Sequence, residues 1–248
     1  MSADTPEELA GLRRAGRAVS ATLREVARRV RPGVTTAELD AFAVQVFARH
    51  GARSAPALVY GFPGTICISV DDEAVHGIPG PRRLREAELV KLDVTAELDG
   101  FYADAAVSVP VGRVAPRVAR MVATAQASLR RGLDAARPGA PINAIGAAVQ
   151  HEAERRGCAV LGELTGHGIG RSIHEEPTVP NVYVPELDAP LREGTVITIE
   201  PILGLGSSEI RSGGDGWTIL TADGAPSAHA EHTLVVSAGG PMVLTAAG

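Results

Sequence analysis

Val90-Lys91-Leu92-Asp93-Val94-Thr95-Ala96, Asp99-Gly100 and Phe101-Tyr102-Ala103-Asp104-Ala105-Ala106-Val107 decide the fold of this chain. The first run alternates apolar and polar with the period of a strand, Asp99-Gly100 is a two-residue hairpin turn signal, and the third run returns. With Asp99 and Gly100 in the turn, Thr95 faces Asp104 and Asp93 faces Ala106. Asp93 and Asp104 then lie diagonally on one face, roughly 7 to 8 Å apart at Cα, while Leu92, Val94 and Ala96 point into a core. Two carboxylates this close repel, and a cation between them removes the need for one to take up a proton. Taken alone, the pair also fits a solvated polar sheet face, because Asp is mostly exposed.

The surrounding chain bounds the class. At 248 residues it can bury a large core, and 45% apolar with 21% charged residues is the composition of a soluble globular protein. The net charge of -5 and the scattered arginines leave no footprint for nucleic acid, and Lys91 is the only lysine. No apolar run is long enough to cross a bilayer, and the start is not followed by a signal-type segment. Cys67 and Cys158 read as reduced thiols, so a cytoplasmic protein is expected.

Helix signals come twice. Thr5, Pro6 and Glu8 make a capping box, and Leu9, Leu12, Val19, Leu23, Val26 and Val30 predict an amphipathic helix ended by Arg31-Pro32-Gly33. Thr35 and Glu38 cap a second helix that runs to Gly51. Further on, Pro116 to Arg137 predicts a helix, Arg137-Pro138-Gly139 punctuates it, and another ends at Gly157. An offset of 106 relates both the tripeptides and the terminal glycines, and it maps Val90–Val94 onto Val196–Glu200. The expectation is one domain over 1–248 with two helix-helix-sheet halves, about 6–110 and 116–237, and function where they meet.

The second half adds acids at strand ends: Glu200 before Pro201, and Glu231 before His232-Thr233-Leu234-Val235. In Thr165-Gly166-His167-Gly168-Ile169-Gly170, glycines flank a histidine and let backbone pass close to an ion or substrate. The spacing matches neither nucleotide-binding fingerprint. Glu175, Glu176 and most of Asp71-Asp72-Glu73 read as solvated.

These residues resemble the type I methionine aminopeptidases, metal-dependent peptidases with the pita-bread fold. The matching motifs are Cys67-Ile68-Ser69-Val70 through His76-Gly77-Ile78-Pro79, Lys91-Leu92-Asp93 with Asp104, Gly166-His167-Gly168-Ile169-Gly170 with His174-Glu175-Glu176-Pro177, Thr198-Ile199-Glu200-Pro201, and Glu231-His232-Thr233. The resemblance implies an α+β fold, a pseudo-twofold repeat around a central curved antiparallel sheet. It implies Asp93, Asp104, His167, Glu200 and Glu231 as ligands of two divalent ions, cobalt, manganese, iron or zinc, which suit an oxygen-rich site. Asp104 and Glu231 would bridge, Asp93 would complete one site, and His167 with Glu200 the other. Glu200 would also shuttle a proton from water to the leaving amine, and His76 and His174 would hydrogen-bond substrate.

The same resemblance places Phe62, Cys67 and Trp217 at a methionine pocket, with Phe62 where a tyrosine is common, Ile173 where a phenylalanine is common and Asp71 where an asparagine is usual. The first helix starting by Pro6 matches the short bacterial form. The activity implied is removal of the initiator methionine from nascent proteins with a small second residue, by a monomer that associates with the ribosome. Two alternatives share the fold: cleavage of Xaa-Pro peptides, and a peptide- or histone-binding module without catalysis. His76-Gly77-Ile78-Pro79 argues against the first, and the five filled ligand positions against the second.

Overall fold

A computed structural model describes residues 1–246. Five helices, α1 (Pro6–Ala27), α2 (Thr36–His50), α3 (Ala55–Tyr60), α4 (Pro116–Ala135) and α5 (Asn143–Arg155), alternate with short strands around one long hairpin. Among the described residues no helix is long and apolar enough to cross a membrane.

The hairpin joins strands Leu89–Leu98 and Phe101–Pro110, and every pair from Leu98↔Phe101 to Leu89↔Pro110 keeps the expected register, with Thr95↔Asp104 and Asp93↔Ala106. Asp99 and Gly100 both have positive φ, 54° and 78°, the requirement of a type I′ turn whose twist matches the strands. The Gly100 N–H donates to Glu97 Oε1 at 2.7 Å and holds the turn closed. The core face is as predicted, with Leu92, Val94 and Ala96 fully buried. The opposite face is not a solvated polar surface: Lys91, Thr95 and Asp104 are buried there as well. The strand Cys67–Val70 pairs along Val90–Asp93, and the C-terminal half covers the face that alternation alone would leave to water.

Both capping boxes form, Thr5 with Glu8 and Thr35 with Glu38, each satisfying backbone groups that a bare helix start leaves open. The α1 helix stops at Ala27, four residues before Arg31; Arg29 and Val30 donate instead to Val26 and Ala27 in tightening turns. Likewise α4 stops at Ala135, short of Arg137. The 106-residue correspondence appears in the backbone, with Gly33 and Gly139 at φ 88° and 82° and Gly51 and Gly157 at 68° and 77°.

Helix α1 packs on α2 and on both hairpin strands, and α4 packs on α5. Leu12, Val19 and Val26 of α1 share one core with Leu39, Phe47, Leu92 and Val94. Met121, Leu129, Ile145 and Val149 share another with Ile197, Ile199 and Leu234. The second sheet orders Met242–Val243, His232–Val235, Val196–Ile199, Gly166–Gly168 and Glu175–Val179. It meets the hairpin where Glu231 N donates to the Ala106 carbonyl at 3.0 Å. Acids from the two halves converge at that seam.

Candidate metal centre

Asp104 is set by its strand neighbours. Thr95, directly opposite, donates its hydroxyl to Asp104 Oδ2 at 2.8 Å. Burial raises the Asp104 carboxyl to about 6. Asp93, two residues along from Thr95 on the same face, is pushed well above the ordinary carboxylate range by burial and then by the Asp104 and Glu200 charges.

From the other half, Glu200 leaves the strand Val196–Ile199 at Pro201. Its Oε2 accepts from the Thr198 hydroxyl at 2.9 Å, and Asn181 Nδ2 donates to its carbonyl at 3.0 Å. Burial, then the Asp104 charge, raises Glu200 to about 8. Glu231 is 2% exposed; burial followed by Asp104, Glu200 and Asp93 pushes it well above the ordinary range.

His167 sits between glycines because backbone crowds both sides. A Cβ on Gly168 would lie 2.1 Å from the Glu176 carbonyl oxygen, and one on Gly166 would lie 2.6 Å from that of Thr198. His167 N donates to Thr198 Oγ1 at 3.0 Å, and Nδ1–H donates to the Gly168 carbonyl at 2.8 Å. That bond leaves the Nε2 lone pair open, 3.8 Å from Glu200 Oε2, in the tautomer a metal ligand needs. Burial lowers His167 to about 4, so the ring is neutral.

Asp104, His167 and Glu231 offer ligand atoms within 4.8 Å of one another. Asp104 Oδ1 and Glu231 Oε1 are buried with no hydrogen-bond partner. Buried oxygens without partners are costly, and four carboxylates that raise one another's pKa are costlier still. A bound cation would answer both. Asp93 and Glu200 line the same cavity as the triad, so the structure brings all five predicted ligand residues together.

The acids floor a cavity of about 220 Å³ whose walls include Phe62, Cys67, His76, Ile173, His174 and Trp217. Phe62 and Trp217 meet edge-on at 5.2 Å between centroids. Cys67 pairs across the sheet with Asp93, and its thiol is pushed up by burial and then by that carboxylate. His76, at φ 58°, follows the strand Glu73–Val75 and opens onto the cavity; burial and then His174 lower its pKa. The His174 ring packs edge-on against His167 at 4.2 Å.

Three acids expected in solvent are structural. Glu175 accepts from the Arg171 and Ser172 N–H groups at 2.7 and 2.8 Å and pairs with the Met1 ammonium. Asp71 Oδ1 accepts from Leu89 N, and Glu73 Oε2 from Val70 N. Glu176 is exposed as expected. Sequence reasoning did not single out Thr95, Thr198, Thr233, Tyr60 or His229. His229 is 2% exposed, with Nε2 3.6 Å from Glu231 Oε2 and neither ring nitrogen hydrogen-bonded. It lies two residues before Glu231, at the end of the strand Ser227–His229 and across the short break that leads into His232–Val235.

Residues 10–238 match the model of metallopeptidase family M24. The chain belongs to metallopeptidase family M24. Within that family it is 42% identical over 241 residues to methionine aminopeptidase 2 of Bacillus subtilis, covering 96% of this chain and 97% of that one. The crystal structure of methionine aminopeptidase from Rickettsia prowazekii superposes with a TM-score of 0.95 at 35% identity, covering 99% of this chain and 100% of that one. That from Thermotoga maritima gives 0.96 at 32% identity, with complete coverage of both chains. The fold is therefore the pita-bread fold of M24, and the family's metallopeptidase chemistry has a candidate centre in Asp104, His167 and Glu231.

Proposed function

We propose that this chain is a methionine aminopeptidase that hydrolyses the first peptide bond of nascent proteins with a small second residue. The observation that carries the reading is the group of buried Asp104 and Glu231 with half-buried His167, with two unpartnered carboxylate oxygens, in a cavity lined by Phe62, Cys67 and Trp217. Asp93, Asp104, His167, Glu200 and Glu231 would hold two divalent ions, which supply Lewis acidity to a peptide carbonyl and acidify a water molecule. Glu200 would accept a proton from the attacking water and pass it to the leaving amine. His76 and His174, on the walls, donate hydrogen bonds to substrate and to the charge that develops on the carbonyl oxygen, a contribution of about 3 kcal/mol for one well-placed donor. Phe62, Cys67 and Trp217 take the methionine side chain, whose thioether is suited to aromatic edges and sulfur. Its substrates place the enzyme in the cytoplasm, beside the ribosome.

The test is hydrolysis of Met-Ala-Ser and Ala-Pro-Ser by chelator-stripped protein, with and without Mn or Co. Metal-dependent release of methionine, with Ala-Pro-Ser untouched, is the expected result. Cleavage of Ala-Pro-Ser alone would replace the reading with an Xaa-Pro peptidase, and no cleavage with metal bound would sink the substrate assignment.

A further inference from the structure

Tyr60 is the last residue of α3, and Gly61 follows in the left-handed region at φ 72°, turning the chain away toward Phe62. The Tyr60 ring is 49% exposed, yet its hydroxyl lies 2.6 Å from His174 Nδ1, and the two rings stand 5.7 Å apart at 34°. Among the described residues this is the only hydrogen bond given to the His174 ring. A phenol donates far better than it accepts, and an unprotonated imidazole nitrogen is a strong acceptor, so the contact favours O–H donating to Nδ1. An imidazole whose Nδ1 accepts carries its hydrogen on Nε2.

His167 is fixed the other way. Its Nδ1–H donates to the Gly168 carbonyl, leaving a lone pair on Nε2. Two rings 4.2 Å apart therefore stand in opposite tautomers, one offering a lone pair to a cation and the other an N–H to a ligand oxygen. We propose that Tyr60 is a positioning residue that locks His174 as the Nε2–H tautomer and fixes its ring plane, so that it presents a donor to the substrate oxygen beside His167. The consequence for turnover rests on the aminopeptidase reading above; the tautomer does not.

Histidine side-chain ¹⁵N correlation spectra of the Zn-loaded protein read the tautomer directly. Wild type should show His174 with Nδ1 unprotonated and Nε2 protonated, and Tyr60→Phe, which keeps the ring packing, should show an averaged mixture. On Met-Ala-Ser, Tyr60→Phe should lose roughly ten- to a hundred-fold in kcat, up to the loss typical of one donor, with KM nearly unchanged. In a His174→Ala background the same substitution should cost nothing further. A wild-type His174 protonated on Nδ1, or an unchanged tautomer in Tyr60→Phe, overturns the positioning role. An equal kcat loss in the His174→Ala background overturns it too. Full activity of His174→Ala with the expected tautomer would instead overturn the donor role of His174, and with it the link to turnover.

Discussion

Asp104 and Thr233 are tied by two hydrogen bonds: the Asp104 N–H donates to the Thr233 hydroxyl at 2.8 Å, and that hydroxyl donates to the Asp104 carbonyl at 2.7 Å. One side chain thereby closes the seam between the hairpin and the strand His232–Val235, with Glu231 one step away. The Thr233 side chain is wholly buried, so no water replaces it if it is lost.

Thr233→Val keeps the shape and leaves a buried N–H and C=O on Asp104 unsatisfied, which costs roughly 1 to 3 kcal/mol each. Urea unfolding should show a loss in that range, and calorimetric titration with Mn should show weaker binding, because the seam sets the distance from Asp104 to Glu231. Thr233→Ser should recover most of both. Wild-type stability in the Val variant would show that the seam is held elsewhere.

Glu200 is one of four buried carboxyls through which the metal-free protein responds to pH. Its carboxyl is raised from 4.5 to about 8 by burial and then by Asp104. A carboxyl raised in the folded state favours folding while protonated, so its stabilising contribution is intact below pH 4.5 and is lost as pH rises through about 8. In chelator, Glu200→Gln should therefore be more stable than wild type, and the gap should widen between pH 5 and pH 8. Added Mn should narrow it by stabilising wild type more than the variant, which keeps Asp104, His167 and Glu231 but lacks one carboxylate. Urea midpoints at the two pH values measure this; a gap that does not change with pH would contradict it.

Lys91 is the chain's one lysine and is 1% exposed, its Nζ donating to the Asp71 carbonyl at 2.6 Å. Burial lowers its pKa to about 7, so near neutral pH more of it is the unprotonated amine that can react, while the same burial denies a reagent access. Access decides the rate, so an amine-reactive acylating agent should modify Lys91 only as denaturant opens the hairpin. Peptide mass spectrometry across a urea series reads it, and modification of Lys91 in the native protein would show that the Asp71 turn opens freely.

Local physics was legible along the chain. Thr5 with Glu8, Thr35 with Glu38, and Asp99-Gly100 each act within three residues of themselves, so the helix starts and the hairpin register followed from spacing. The four acids and His167 were legible through their motifs, and the structure brings them to one seam. Helix ends were less so: α1 stops at Ala27 because a local turn satisfies its last groups before the Arg31-Pro32-Gly33 breaker is reached.

By itself, the sequence determined which residues share a strand face, Asp93 and Asp104 among them, and where helices begin, because these depend on periodicity and neighbouring backbone groups. Only the tertiary structure decided what covers each face. It buried Lys91, turned Asp71, Glu73 and Glu175 into ligands of backbone N–H groups, and joined Tyr60 to His174 across 114 residues and Asp104 to Thr233 across 129. Such pairings satisfy groups that folding strips of water, and which group meets which is fixed by how the halves pack.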